Sequence, residues 1–110
     1  MKQKTYYIYI ITNHKKTVLY IGVTNNLIQR LTEHYINSGN PNRFAGRYHC
    51  YYLLYFEKFQ FIRDAIRREK ELKGWKRIKK EKLIESENPD WNFLNEEIMD
   101  WPPPIDSTTR

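Results

Sequence analysis

The sequence predicts an α+β domain, a small three-stranded antiparallel sheet flanked by helices in the order β-β-α-β-α-α. Three observations carry this prediction. Two short segments rich in β-branched and aromatic residues stand close together near the N-terminus. A third apolar segment follows a loop that contains glycine and proline. Three further stretches place their apolar residues at helical spacing.

The first two strands are predicted to form a hairpin. Residues 5–12, TYYIYIIT, and residues 17–22, TVLYIG, contain the side chains that favour strands. The polar residues 13–16 between them predict the hairpin loop. We expect the second strand to break at Gly22.

The first helix is predicted to follow this hairpin and to end near Asn37. Its core-facing side is defined by four residues at helical spacing, Leu27, Ile28, Leu31 and Tyr35. Its N-terminal cap is one of three polar residues, Thr24, Asn25 and Asn26. Residues 37–47 contain two glycines and a proline, and this composition predicts a loop.

The second half of the chain contains one strand and two helices. Residues 49–59 are apolar on both faces, which is typical of a buried strand. The second helix spans roughly residues 61–73 and stops at Gly74, a natural C-cap. The third helix spans residues 75–87 and is expected to end before Pro89.

Composition divides the chain into a folded domain, residues 1–93, and an acidic and then proline-rich C-terminal tail, residues 94–110. Three consecutive prolines in this tail favour an extended polyproline conformation. We expect the last residues to fray.

Bulk properties limit the function classes. No apolar run approaches the roughly 18 residues of a membrane-spanning helix, so we expect no membrane segment. The single cysteine, Cys50, has neither a disulfide partner within the chain nor metal-ligand spacing around it. A reducing, cytoplasmic location is therefore the default expectation.

The net charge of +6 is unevenly distributed. Residues 1–82 contain 18 Lys and Arg against 6 Asp and Glu, whereas residues 83–110 contain 1 against 7. A basic body indicates a polyanionic partner, most simply nucleic acid. The alternative is the solvated surface of a generally basic protein, and charge alone does not separate the two.

The position of Glu69 is the hardest to explain in an ordinary amphipathic helix. The apolar stripe of the second helix is defined by Ile62, Ala65, Ile66 and Leu72, and Glu69 falls within it. An ionised carboxylate at a core-facing position is costly unless it is paired or holds a metal. The pattern thus leaves three explanations: a metal ligand, a salt bridge to a buried arginine, or a stripe edge that stays wet.

Four other side chains are candidates for an active site. Arg30 and His34 flank the apolar stripe of the first helix one turn apart; arginine can hold a phosphate with its planar fork, and histidine can transfer a proton. Tyr9 and Tyr20 lie on neighbouring strands. A phenol becomes a useful proton acceptor when cations lower its pKa, and the candidates are Arg30 and a metal at Glu69. Ordinary boundary and core residues are the competing explanation.

These residues together resemble the GIY-YIG nuclease superfamily, in particular its small stand-alone bacterial members related to the nuclease domain of the excision-repair endonuclease. YIY at residues 7–9 takes the place of the first motif, and YIG at residues 20–22 is the second motif in full. NLIQRLTEH resembles the family's helix, AIRREKELKGW its metal-binding helix, and ESENPDW the C-terminal signature of the stand-alone members. The resemblance covers about residues 5–93. Tyr7 replaces the glycine of the first motif, which removes the least hindered backbone position at the start of the strand.

The resemblance implies a metal-dependent phosphodiesterase acting on DNA with one divalent ion, Mg²⁺ or Mn²⁺. Glu69 is the implied metal ligand, and a single ion agrees with the lack of an acidic partner on its stripe. The other implied roles are general base for Tyr9, positioning of water or phosphate for Tyr20, phosphate clamp for Arg30, assistance to proton transfer for His34, and support of the site for Asn88.

The resemblance also gives the basic segment a role in binding the DNA backbone. The predicted contacts are Arg43, Arg47, Arg67, Arg68, Lys70, Lys76, Arg77, Lys79 and Lys80. Because no module for reading base edges is apparent, we expect a preference for DNA structure, such as a branch or a flap, over sequence. The alternative is a nucleic-acid-binding module with little or no activity without a partner. The C-terminal tail is the candidate site for a protein partner.

Overall fold

The computed structural model describes residues 4–104. Three antiparallel strands form one sheet in the order β2-β1-β3, flanked by helices, which confirms the predicted class and the order of the main elements. The elements are β1 Tyr6–Thr12, β2 Leu19–Thr24, α1 Leu27–Ile36, α2 Phe44–Arg47, β3 Tyr52–Phe59, α3 Ile62–Lys73, α4 Arg77–Glu87 and α5 Asn95–Ile98. Within the described residues, every helix is too short or too polar to cross a membrane.

The central strand β1 supplies side chains to two hydrophobic cores. On one face of the sheet, Ile8 and Ile10 are fully buried and pack with α3 and α4. On the other face, Tyr9 and Ile11 are buried and pack with α1. This alternation is the two-residue period of a strand, and it makes the sheet the middle layer between two sets of helices.

Strand β3 carries a bulge that the C-terminal segment covers. The register between β1 and β3 shifts by one residue at Leu54. The side-chain amide of Asn88 donates to the Leu54 carbonyl at 3.0 Å, and the Asn95 side-chain oxygen accepts from the backbone N–H of Leu53 at 2.8 Å. These contacts satisfy backbone groups at an edge that would otherwise be open to pairing.

The hairpin loop is longer than predicted. The side-chain oxygen of Asn13 accepts from the backbone N–H groups of Thr17 at 2.8 Å and Val18 at 3.2 Å, which holds both residues in the loop. The predicted break at Gly22 is wrong. Gly22 lies inside β2 and pairs with Tyr9 on β1, because the ladder continues to the end of β2.

At the start of α1, the structure identifies the N-cap residue and shows that one expected core residue is exposed. Asn26 is the N-cap, and its side chain accepts from the backbone N–H of Gln29 at 3.0 Å. Leu27 and Leu31 are buried as predicted. Ile28 is 49% exposed, because it lies about 100° around the helix from Leu27.

The predicted loop 37–47 contains the short helix α2. Backbone bonds from Gly39 N–H to the Gly46 carbonyl and from Cys50 N–H to the Ala45 carbonyl, both 2.8 Å, hold this helix in place. Strand β3 therefore begins later than predicted. On α3, Ala65 and Leu72 are fully buried, whereas Ile62 is half exposed at the first turn.

The C-terminal segment packs against the body of the protein. Helix α5 lies within the predicted tail, and the Trp101 ring meets the rings of Tyr35 and Tyr51 at centroid distances of 5.2 and 5.9 Å. Pro103 is buried. The fraying expected for the last residues concerns residues 105–110, which lie outside the described residues.

Candidate active site

The side chain of Tyr9 lies directly over the backbone of Gly22. A Cβ atom at Gly22 would sit 2.3 Å from the Tyr9 hydroxyl oxygen and 2.4 Å from Cζ, so no residue with a side chain fits there without displacing the phenol. Because β2 is an outer strand of the sheet, the phenol is directed toward that edge, although Tyr9 itself is buried. The glycine of the YIG motif therefore provides space for the tyrosine of the neighbouring strand.

Three aromatic rings form one cluster on the α1 side of the sheet. The hydroxyl oxygen of Tyr9 lies 2.8 Å from Nε2 of His34. The Tyr20 ring packs edge-on against His34 at a centroid distance of 5.4 Å and lies 6.4 Å from the Tyr9 ring. Tyr9 and Tyr20, which the sequence places on neighbouring strands, lie on the same face of the sheet, and His34 is a direct partner of Tyr9.

The electrostatic surroundings of Tyr9 make it a weak acid. Burial raises the pKa of the phenol above its usual range, and the neighbouring groups Tyr20 and Glu69 act in the same direction. The positive charge of Arg30 opposes them. The net direction differs from the lowered pKa that the sequence suggested, because burial outweighs Arg30.

His34 is neutral near pH 7. Burial, followed by the positive charges of Arg30 and Arg43, lowers the pKa of the imidazole to about 4. A neutral imidazole with its proton on Nδ1 offers Nε2 as an acceptor for the Tyr9 O–H group. The pair can therefore pass a proton from oxygen to nitrogen.

Arg30 and Arg43 line one cavity beside this cluster, which we term the α1–α2 cavity. It has a volume of about 200 Å³, and its wall also includes Tyr20 and His34. Arg30 pairs with Glu33 on the same helix at 3.3 Å, with both side chains more than 40% exposed. Such a surface pair is weak, so the guanidinium can exchange this carboxylate for a phosphate.

The flank of α3 that bears Glu69 faces β2. The buried stripe of the helix has Arg68 on one side and Glu69 on the other, at about 100° per residue. Arg68 pairs with Glu57 of β3 at 3.0 Å, which directs the Arg68 flank toward β3. The opposite flank is directed toward β2, the strand over which the Tyr9 phenol extends.

Glu69 offers a single, mostly buried carboxylate as a metal ligand. Its side chain is 16% exposed, and its partner is Lys73 at 3.4 Å. Within residues 4–104 no three His, Cys, Asp or Glu side chains cluster closely enough to hold a metal. A structural zinc site needs four ligands, whereas Mg²⁺ binds one or two carboxylates and keeps several waters. The donor set therefore fits a single hard cation that shares its ligands with substrate phosphate.

Asn88 lies apart from this cluster. Its side-chain amide donates to the carbonyls of Leu54 at 3.0 Å and Asn92 at 2.9 Å, and its oxygen accepts from the Asn92 N–H group at 3.0 Å. It lines a different cavity along β3. In the structure these hydrogen bonds hold the C-terminal end of α4 against strand β3.

The predicted DNA contacts divide into exposed and internally bound side chains. Arg68 forms ion pairs with Glu57 and Glu71, and it is 25% exposed. Arg77 donates to the carbonyls of the hairpin loop, and Arg47 donates twice to the Pro41 carbonyl. Arg47 and Arg77 are nevertheless exposed, as are Arg43, Arg67, Lys70, Lys76 and Lys79, and Lys80 is partly exposed.

Sequence reasoning missed Phe44 as part of this region. The Phe44 ring stacks on Tyr20 at a centroid distance of 6.1 Å and an interplanar angle of 26°, and it lines the α1–α2 cavity. The prediction of a loop over residues 37–47 hid this arrangement. The available signal was an aromatic residue directly after Arg43.

Comparison with known proteins identifies the family of the chain. The family model described as the GIY-YIG catalytic domain matches residues 5–82. A UPF0213 protein of Staphylococcus haemolyticus is 35% identical, over 73% of this chain and 94% of that protein. A UPF0213 protein of Natronomonas pharaonis is 32% identical, over 74% of this chain and 93% of that protein. One of Bacillus pumilus is 34% identical, over 77% and 84%.

No solved structure matches the chain significantly. The family match covers both strands of the hairpin and the helices that carry Arg30, His34 and Glu69. With this match over residues 5–82 and these relatives, the chain belongs to the GIY-YIG catalytic domain family.

Proposed function

We propose that the protein is a metal-dependent DNA endonuclease that selects DNA structure rather than sequence. The observation that carries this proposal is the hydrogen-bonded pair of Tyr9 and His34, which lies beside Arg30 on a sheet edge toward which Glu69 is also directed. Membership of a nuclease family supports hydrolysis of a phosphodiester bond. A basic body supports a polyanionic substrate.

Glu69 would hold one divalent cation, Mg²⁺ or Mn²⁺. When bound, such an ion supplies positive charge to the phosphate oxygens of the scissile group. The Lys73 amine lies 3.4 Å from the Glu69 carboxylate and forms an ion pair with it. Because the Glu69 side chain is mostly buried, water competes less with a cation for its carboxylate.

Arg30 would bind the scissile phosphate. Its weak pair with Glu33 can be replaced by a two-point contact to phosphate oxygens. Arg43, which lines the same α1–α2 cavity, would contact a neighbouring phosphate. Both side chains line this cavity, so their charges would lie beside the phosphate on which negative charge develops.

Tyr9 and His34 would activate the attacking water. As the water loses a proton to the Tyr9 hydroxyl oxygen, the phenol proton moves to Nε2 of neutral His34, and an imidazolium forms. The water oxygen bonds to phosphorus while the bond from phosphorus to the leaving sugar oxygen breaks. The leaving oxygen takes a proton from solvent, and His34 returns its proton to solvent.

A test of this proposal needs several DNA forms. Purified protein is incubated with duplex, single-stranded, flap and branched DNA in the presence of Mg²⁺ or Mn²⁺. We expect cleavage that requires the cation, with a preference for flap or branched DNA. Glu69→Gln should abolish cleavage, whereas Glu71→Gln, an exposed carboxylate on the same helix, should retain it. Cleavage by Glu69→Gln at the wild-type rate would refute the assigned metal ligand.

A binding module without turnover is the second candidate function. The raised pKa of Tyr9 and the lowered pKa of His34 favour it, because a phenol that holds its proton tightly transfers it slowly to an imidazole that binds protons weakly. DNA binding without cleavage under every condition above would establish this function and reject the enzyme.

A further inference from the structure

Two exposed aromatic rings stand beside the candidate active site. Phe44 is 53% exposed and Tyr48 is 41% exposed, although both belong to a tightly bonded segment. Their ring centroids are 4.9 Å apart. We refer to Phe44 and Tyr48 as the aromatic ledge. A free monomer gains little from holding two large apolar rings in water.

The aromatic ledge is held rigidly. Gly46 packs so closely that an added Cβ would lie 2.6 Å from the Asn37 carbonyl and 2.8 Å from the Asn40 carbonyl. Arg47 donates two hydrogen bonds to the Pro41 carbonyl, and the Ser38 hydroxyl lies 2.8 Å from His49 Nδ1. The backbone under the ledge is thus ordered before any ligand binds, which lowers the entropy cost of binding.

The ledge is continuous with the candidate active site. Phe44 stacks on Tyr20, whose ring packs in turn on His34. Phe44 also lines the α1–α2 cavity together with Arg30 and Arg43. An aromatic face flanked by arginines suits a flat, uncharged ring attached to a phosphate, which is the structure of a nucleotide.

We propose that the aromatic ledge stacks an unpaired base next to the phosphate held by Arg30 and Arg43, so that the protein prefers DNA with a single-stranded end or flap. This proposal rests on the nucleic-acid substrate of the proposed function and adds the source of the structure preference. Bases paired inside a duplex do not offer a free face, so they cannot use the ledge. The neighbouring cations favour a nucleotide over an apolar protein surface.

The test compares three DNA molecules in a chelating buffer, where no divalent cation is available for cleavage. One is a blunt duplex, one carries a single-stranded overhang, and one carries the same overhang without bases but with every phosphate. We expect the wild-type protein to bind the normal overhang about tenfold more tightly than the abasic overhang. Equal affinity for the two overhangs would overturn the proposal.

Substitutions in the ledge identify the side chain. Phe44→Ala and Phe44→Leu should remove the preference for the normal overhang and leave binding to the blunt duplex unchanged, whereas Phe44→Trp should retain the preference. Because Phe44→Leu keeps an apolar side chain against Tyr20, it remains informative where the alanine variant folds poorly. Ile36→Ala is the matched control, since Ile36 is 60% exposed on α1 and lies outside the cavity wall.

The outcomes separate this proposal from the nuclease function. An equal loss of affinity by Phe44→Leu for all three DNA molecules would indicate a general structural effect and refute base stacking. Self-association of the free protein that depends on Phe44, measured by analytical ultracentrifugation, would also refute base stacking. A stacking preference in a protein that never cleaves DNA would refute the nuclease and keep the ledge. Cleavage that depends on Glu69 and is unchanged by substitution of Phe44 would support the nuclease and refute the role of the ledge.

Discussion

Glycine at position 22 is required by the phenol that lies above it. The YIG motif shows a tyrosine, an isoleucine and a glycine in sequence, but the glycine serves Tyr9 on the neighbouring strand. The sequence predicted Tyr9, Tyr20, Arg30 and His34 as candidates. It did not predict the Tyr9–His34 hydrogen bond, because that contact depends on strand register and on the position of α1 over the sheet.

The substitution Gly22→Ala should displace the Tyr9 ring. A methyl group there would meet the phenol at 2.3 Å, so we expect a loss of about 1–3 kcal/mol in the free energy of unfolding and about a 100-fold lower rate of DNA cleavage. Denaturant titration and a cleavage assay measure the two effects. Gly74→Ala is the control, because its Cβ would lie no closer than 3.5 Å to any neighbour. Wild-type activity in Gly22→Ala would contradict the assigned position of the phenol.

His34 should be neutral down to low pH. Its pKa in the folded state is about 4, below the ordinary value of 6.5, so the unfolded chain binds more protons between these two values. Stability should therefore fall as the pH decreases from about 6.5 to about 4, by an amount of order 1–3 kcal/mol.

Two measurements check this expectation for His34. An NMR titration of the imidazole should give a midpoint near 4. The His34→Gln variant should lose the corresponding part of the pH dependence of unfolding, while the part that arises from carboxylates remains. A midpoint at the ordinary value of 6.5 would show that His34 is solvated.

Two adjacent basic residues of helix α3 differ in exposure and in their ion-pair partners. Arg67 is 79% exposed, and its carboxylate partner Asp64 lies at the limit of an ion pair, 4.0 Å away. Arg68 is held by Glu57 on β3 and by Glu71. The sequence grouped both arginines as DNA contacts, because charge and spacing do not reveal that β3 places a carboxylate under one of them.

Arg67→Ala should affect mainly DNA binding, whereas Arg68→Ala should affect mainly stability. Arg67→Ala should weaken DNA binding and reduce the salt dependence by about one charge, with unfolding changed by no more than about 0.5 kcal/mol. Arg68→Ala leaves the partly buried Glu57 without its cationic partner and should lower the free energy of unfolding by about 1–3 kcal/mol. Binding titrations over a range of salt and denaturant titrations measure the two effects. Equal losses of stability in both variants would contradict this division.

The connection from α4 to α5 stabilises the outer edge of β3. Asn88 and Asn95 satisfy backbone groups of Leu54, Leu53 and Tyr51, and both asparagines are at most 5% exposed. The resemblance gave Asn88 a supporting role in catalysis, whereas its contacts in the structure are with backbone carbonyls of β3 and of its own turn.

Asn88→Ala should therefore reduce stability more directly than activity. Loss of three side-chain hydrogen bonds, one buried and two partly buried, is expected to lower the free energy of unfolding by about 1–3 kcal/mol, as measured by denaturant titration. Asn92→Ala is the matched control, because Asn92 takes part in these bonds through its backbone. Cleavage lost in Asn88→Ala at unchanged stability would instead support the catalytic role that the resemblance implied.

The order of the main elements was predictable because hydrophobic spacing alone distinguishes the strands from the helices. Helix α2 was not, since glycine and proline in residues 37–47 favour a loop and its helical turn depends on contacts with Asn37 and Asn40. The position of Glu69 toward β2 also required the structure, because the stripe on α3 shows that Glu69 is partly buried but not which edge of the sheet it approaches.

The two outer edges of the sheet differ in charge. The edge at β3 carries a cavity of about 380 Å³ lined by Glu57, Glu87 and Glu97. The opposite side, at β2 and α1, carries Arg30 and Arg43 in the α1–α2 cavity. The electrostatic field of the molecule should therefore attract DNA toward the candidate active site and repel it from β3.

This polarity predicts unequal effects of charge removal. Neutralising Arg30 and Arg43 with glutamine should weaken DNA binding about tenfold or more at about 50 mM salt and reduce its salt dependence, because both would contact phosphate directly. Neutralising Glu87 and Glu97 in the same way should strengthen binding only about twofold and lose this effect near 200 mM salt, where charges farther than about a Debye length are screened. Binding titrations at both salt concentrations measure the difference. A gain from the glutamate variants that persists at high salt would mean that DNA lies against β3, and it would contradict the assignment of the binding face to α1 and β2.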